Sequence, residues 1–205
     1  MQEKGILIAI EGIDGCGKTT QVRRLKKKLT KRGFDTKVVK EPTKGTYGRE
    51  IRDILRGKKE ADQDELLKLF IMDRKENVNE NVLPSLKEGK IVIADRYFVS
   101  TLAYQKGNKR SFEKILEAHK FAPLPELVVI IDVSPEIAIN RLSKEATPRD
   151  QFENDKDFLT RVRENYLDIS HVLKEKTNIL VVDGEQPPNE VHRKIWAEVK
   201  RLIHK

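Results

Sequence analysis

Gly12-Ile13-Asp14-Gly15-Cys16-Gly17-Lys18-Thr19 fits the pattern GxxxxGK[ST] position for position, and no other stretch constrains the fold of this chain as strongly. Such a pattern has meaning only in context, and both flanks supply it. Before it, Ile6-Leu7-Ile8-Ala9-Ile10 is an apolar run short enough for a fully buried parallel strand. After it, Val22, Leu25 and Leu29 recur at helical spacing and Gly33 follows as a stop. Strand, glycine loop and helix in that order make a phosphate cradle. Glycines permit the tight turn that points successive N–H groups at phosphate oxygens, and the helix N-terminus adds partial positive charge behind them. Lys18 then reaches the terminal phosphates, and the Thr19 hydroxyl coordinates Mg2+. Gly12 through Thr19, with Thr20 behind them, therefore read as the binding loop for a nucleoside triphosphate.

A chain of 205 residues has length for one well-filled core, so one domain over residues 1–205 is expected. The formal net charge of +8 fits either a nucleic-acid partner or an enzyme whose substrates are all anions. Lysines interleaved with glutamates, as at Lys58-Lys59-Glu60 and Lys174-Glu175-Lys176, favour the second; high Lys/Glu content also fits a thermophile. Arg23-Arg24 with Lys26-Lys27-Lys28 is the one real basic cluster. The lone Cys16 excludes an internal disulfide and any cysteine metal cluster. No apolar stretch approaches membrane-spanning length, and the first strand leaves no room for a signal peptide, so the cytoplasm is the expected compartment.

Further apolar runs at 36–39, 91–94, 127–131 and 179–182 alternate with helical segments. Together with the first they predict an α/β fold: a five-stranded parallel sheet covered by helices on both faces, with ligands at the C-terminal strand ends. Strand two ends at Lys40-Glu41-Pro42-Thr43, before a short helix over Arg49 to Leu55. Residues 63–88 carry Leu66, Leu67, Phe70, Ile71, Val78, Val82 and Leu86 in helical phase, with Pro84 as a kink or restart. Phe70 and Arg74 share one side of that helix; taken alone they favour a core phenylalanine and a surface cation.

Strand three ends in Asp95-Arg96-Tyr97, where an acid can hold a Mg2+ shell and an arginine can face a phosphate. Ser134-Pro135-Glu136 reads as an N-cap, a first-turn proline and a dipole-matched acid. The polar segment around 143–153, with Arg141, Lys144 and Arg149 across it, reads equally as a cationic lid or an ordinary charged loop. A helix over 155–175, a strand ending at Asp183-Gly184 and an amphipathic helix complete the chain.

With these segments placed, the chain resembles thymidylate kinase, a nucleoside monophosphate kinase family of the phosphate-loop superfamily. The resemblance covers nearly the whole length. It rests on residues 10–21, Glu41-Pro42, Phe70 with Arg74, and the run 89–97 ending in Asp95-Arg96-Tyr97. Ser100-Thr101-Leu102-Ala103-Tyr104-Gln105 and residues 132–136 extend it; Asp-Arg-Tyr followed by Ser and Ala-Tyr-Gln is its most specific part. The resemblance implies a three-layer phosphate-loop NTPase fold with a short lid. It implies transfer of the γ-phosphoryl group of ATP to dTMP, giving ADP and dTDP in dTTP biosynthesis, with Mg2+ as cofactor.

Residue by residue, the resemblance implies that Phe70 stacks on thymine and Arg74 hydrogen-bonds its O4. Arg96 and Arg52 hold the dTMP phosphate, Asp95 lies near the metal with Thr19, and Asp14 meets the acceptor sugar or the magnesium shell. Ser100 belongs to the same acceptor site, and Tyr104 and Gln105 close over sugar and base. A cis peptide at Glu41–Pro42 and a homodimer are also implied. Some members carry an arginine inside the loop where this chain has Gly15; the others supply that cation from the lid, and this sequence matches the second type. Lys18, Arg149 and Arg141 are the candidates for charge on the migrating phosphoryl group, although Arg141 stacking on adenine is an open alternative. Arg149 is followed by Asp150-Gln151 before Phe152-Glu153, which departs from the usual spacing.

Other classes fit less well. Deoxynucleoside kinases typically show Glu-Arg-Ser where this chain has Asp95-Arg96-Tyr97. A GTP switch needs Asn-Lys-x-Asp, and Asn108-Lys109-Arg110-Ser111 lacks the acid. Only net charge supports a nucleic-acid partner, which is not expected.

Overall fold

A computed structural model describes residues 5–105, 112–144 and 155–204. At its centre is strand β1, Ile6–Glu11, in which Leu7, Ile8, Ala9 and Ile10 are wholly buried. β1 pairs in parallel with β3, Ile91–Asp95, on one side and β4, Leu127–Asp132, on the other. β2, Thr36–Lys40, joins outside β3, and β5, Asn178–Asp183, outside β4, giving the order β2-β3-β1-β4-β5. Strands buried on both faces need apolar side chains on both, which is why these runs are continuous rather than alternating. β5 is an edge strand and pays less attention to that rule, exposing Val181.

Helices cover both faces. α1, Lys18–Thr30, packs with α9, Pro188–Ile203; α5, Phe98–Gln105, packs with α8, Lys156–Leu173. Between the strands lie α2, Thr46–Leu55, α3, Gln63–Asn77, α4, Leu83–Lys87, α6, Phe112–Glu117, and α7, Pro135–Leu142. The fold is the three-layer α/β arrangement expected from the sequence. No described helix is long and apolar enough to cross a membrane.

The helical pattern over 63–88 is not one helix. α3 starts at a capping box in which Asp62 and Glu65 each accept the other's backbone N–H. It ends in a π turn over Val78–Val82 before α4 begins. The widened turn precedes Pro84, which then sits in the first turn of α4, where its missing N–H costs no helical bond. Val78 and Val82, four apart, stay buried through the change.

The surface reading of Arg74 is also overturned: it is 1% exposed. Ser134 occupies the N-cap position of α7 with an extended backbone, but its side chain makes no capping bond. Instead its N–H donates to Glu185 Oε1 at 2.9 Å. The peptide before Pro42 is cis.

Candidate active site

The loop between β1 and α1 has the shape its glycines require. Gly12 and Gly15 adopt φ of +137° and +77°, in the region that disfavours side chains. A Cβ at Gly15 would also lie 2.4 Å from the Ala138 carbonyl oxygen. An arginine at position 15 would have to displace the α7 backbone at Ala138, so this loop takes no second cation at that place beside Lys18.

Lys18 folds back over the loop, its Nζ donating to the carbonyls of Gly12 at 3.0 Å and Ile13 at 2.8 Å. Behind it, Thr19 donates its hydroxyl to Asp95 Oδ2 at 2.8 Å, across 76 residues of sequence. The sheet register makes this meeting: Asp95 ends β3 opposite Ile10 of β1, so the acid and the loop emerge at one edge. Lys40 Nζ lies 3.7 Å from the same carboxylate oxygen.

Arg96, next along, has φ of +73°. Non-glycine residues seldom hold this conformation, and here the side chain is fixed from several directions. Nη2 donates to Asp14 Oδ1 at 2.5 Å and to the Tyr104 hydroxyl at 3.2 Å; Nη1 donates to Ser100 Oγ at 3.0 Å. Tyr104 in turn donates to Asp14 Oδ2 at 2.9 Å. Burial pushes the Asp14 carboxyl up, but Arg96 and Lys18 outweigh it and hold the group well below the usual carboxylate range.

Beneath this cluster Glu11, fully buried, accepts from Ser100 Oγ at 2.5 Å, the Tyr97 N–H at 2.8 Å and the Tyr166 hydroxyl at 3.1 Å. Burial raises its pKa, against the pull of the Ser100 bond and Arg96.

A cavity of about 900 Å³ runs outward from the loop. Residues 14–20 of the loop, Asp95 and Arg96 line its floor. One end carries Arg52, Phe70, Arg74, Ser100, Tyr104 and Gln105, all drawn from the α2, α3 and α5 segments. The other carries Arg141, Gly184, Gln186 and Pro188, with Arg141 Nη2 donating to the Gly184 carbonyl at 2.9 Å.

Phe70 is half-buried and stands outside the hydrophobic core, so the core reading of that ring fails too. Arg52 Nη1 donates to the carbonyls of Pro42 at 3.0 Å and Thr43 at 2.6 Å. Gln105 is buried, and its Oε1 has no partner among the described residues. Such an orphan acceptor at a cavity wall calls for a donor from a ligand or water.

A family model described as Thymidylate kinase matches residues 10–195. The chain belongs to the thymidylate kinase family. A "Probable thymidylate kinase" of Thermococcus gammatolerans is 35% identical over 208 residues, covering 97% of this chain and 98% of that protein. The corresponding protein of Pyrococcus abyssi is 36% identical, with 98% of each chain covered. A "Thymidylate kinase" of Leptospira borgpetersenii is 37% identical over 92% of this chain and 90% of its own.

Membership in the thymidylate kinase family makes this chain a kinase. The residues singled out in sequence gather in one cavity, with Gly12 and Ile13 beneath it giving their carbonyls to Lys18. Arg149 and most of the segment 143–153 lie outside the described residues.

Several residues that hold the cavity together went unassigned in the sequence. Glu11 leaves a signal, a charge ending an apolar strand. Tyr166, and the pairing of Asp73 with Thr43 (Oδ2 to the backbone N–H at 2.9 Å), leave none, because their partners are remote in sequence. Asp132, which ends β4, takes a two-pronged ion pair from Arg163 at 2.6 and 2.8 Å, tying β4 to α8.

Proposed function

We propose that this chain transfers the γ-phosphoryl group of ATP to dTMP, giving ADP and dTDP, as a step in dTTP supply. The observation that carries the reading is one cavity joining the phosphate loop to a half-buried aromatic ring beside a buried arginine. ATP phosphates take the loop, residues 12–20. The acceptor lies toward Phe70, whose ring stacks on thymine while Arg74 and Gln105 face its polar edge. Arg96 and the Nη2 side of Arg52 take the acceptor phosphate, and Tyr104 and Asp14 border the sugar. Arg141, held on the Gly184 carbonyl, packs against the adenine; Arg149 is then the lid cation.

The reaction needs no covalent enzyme intermediate. An oxygen of the dTMP phosphate attacks the γ-phosphorus in line, and the bond to the bridging oxygen of ADP breaks. Lys18 moves an N–H from a loop carbonyl to a terminal phosphate oxygen, so charge on the migrating group meets a fixed cation. Thr19 and Asp95 offer a hydroxyl and a carboxylate side by side, which suits Mg2+, a hard cation that keeps waters and phosphate oxygens as its other ligands. When bound, Mg2+ neutralises the β- and γ-phosphate oxygens. We also propose one catalytic domain over residues 1–205 with a lid at about 143–153, a cytoplasmic enzyme and a homodimer. Met72, 41% exposed on α3, offers an apolar contact for the second copy.

Titration calorimetry with dTMP and dCMP tests the base site. The intact protein is expected to prefer dTMP, and Phe70→Ala to weaken dTMP about tenfold or more, the scale of one lost base stack. Equal affinity of the two proteins for dTMP would return Phe70 to a packing role.

A further inference from the structure

Arg74 is the only guanidinium among the described residues that is both 1% exposed and on the cavity wall. It has five N–H donors to place. Nε donates to Glu41 Oε2 at 2.9 Å, and Nη2 lies 2.7 Å from the same oxygen. Nη1 donates to Thr101 Oγ1 at 2.9 Å and meets His119 Nε2 at 2.7 Å. Four donors are thereby engaged, and one N–H on Nη2 has no partner among the described residues.

His119 follows α6 and is 3% exposed, with the rings of Phe98 and Phe121 centred 6.3 and 6.1 Å from its own. Its Nδ1 lies 2.6 Å from the Ile115 carbonyl oxygen. A carbonyl only accepts, so Nδ1 carries the proton. Nε2 must then hold a lone pair, since the guanidinium only donates. An imidazolium would set N–H against N–H and a positive charge beside Arg74. The backbone of α6 thus fixes the tautomer, and the tautomer fixes one arm of Arg74. Arg74 also lies over the Tyr97 ring at 5.7 Å, which covers one face of the guanidinium.

We propose that His119 is a positioning residue for base recognition: its neutral ring, anchored on the Ile115 carbonyl, takes one Nη1 N–H of Arg74 and leaves the second Nη2 N–H as the donor offered to the acceptor's base. This rests on the reading of Arg74 given above. A single fixed donor selects a base with a carbonyl oxygen at that edge and rejects one presenting an amino group there. If Nη1 lost its acceptor, the guanidinium would turn to satisfy a buried donor, and the donor offered to the base would move with it.

The test is steady-state turnover with dTMP and dCMP for the intact protein, His119→Leu, His119→Gln and Arg74→Lys. His119→Leu is expected to raise KM for dTMP about tenfold and narrow the dTMP preference, with kcat and the KM for ATP within about a factor of two. His119→Gln can bring an amide oxygen to the place of Nε2 and is expected to recover most of the loss. If His119→Leu keeps the KM and preference of the intact protein while Arg74→Lys loses both, the assignment of His119 is overturned and the base reading stands. If Arg74→Lys also changes nothing, the base reading itself fails. Nitrogen-15 NMR of the intact protein decides the matter even if the variants do not fold. A neutral ring protonated at Nδ1 at pH 7 is expected, and either an Nε2-protonated ring or an imidazolium would overturn the proposal.

Discussion

Asp14 and Arg96 hold each other 82 residues apart, and the pair sets how the site responds to acid. The Asp14 side chain is 33% exposed, so solvent screens the interaction and its worth is modest. Its sign is nevertheless definite. A carboxyl whose folded pKa is depressed stabilises the fold fully above its unfolded value, near pH 4, and loses that contribution as pH falls through the lower folded value. Denaturant titrations below pH 4 are therefore expected to show Asp14→Asn losing less stability with falling pH than the intact protein. Equal acid slopes would mean the ion pair does not form in solution. Glu11 and Glu41 act with the opposite sign, because burial raises both, so the Asn variant must be read as a difference from the intact protein.

The strands, the loop and the first helix were legible because their signals are local: apolar runs, glycine spacing, a three-to-four period. The strand-end position of Asp95 was legible for the same reason. What escaped is non-local. Nothing near Arg74 announces Glu41, 33 residues away, or His119, 45 residues away, and without them a lone arginine reads as surface. The π turn escaped because Val78 and Val82 keep their burial through it, so the pattern of burial hides the change of helix. The loop between β1 and α1 offers a direct test at this scale. Gly15→Ala puts a Cβ against the Ala138 carbonyl at a left-handed φ. It is expected to cost about 2 kcal/mol or more, lowering Tm by roughly 4–8 °C and raising KM for ATP. A melting curve and ATP kinetics matching those of the intact protein would show the loop to be looser than its glycines imply.

Across the whole molecule the +8 charge is spread rather than focused. Cations pair with acids along the surface, as in Lys120–Glu117, Lys156–Glu136 and Arg201–Glu198, and within the α1 cluster Lys28 lies over the Trp196 ring. Exposed pairs of this kind add little stability, but they break up the positive stripe that a nucleic-acid groove needs. The concentrated charge lies inside, in Lys18, Arg52, Arg74, Arg96 and Arg141, all facing one cavity. That placement fits two phosphorylated small molecules meeting end to end. The most direct measurement is ADP release from ATP and Mg2+ with dTMP, dUMP, dCMP, dGMP, AMP, thymidine or no acceptor. Rapid release with dTMP, weaker release with dUMP and none with thymidine are expected, all abolished in Lys18→Ala. Release with thymidine but not dTMP, or hydrolysis that ignores the acceptor, would contradict the account.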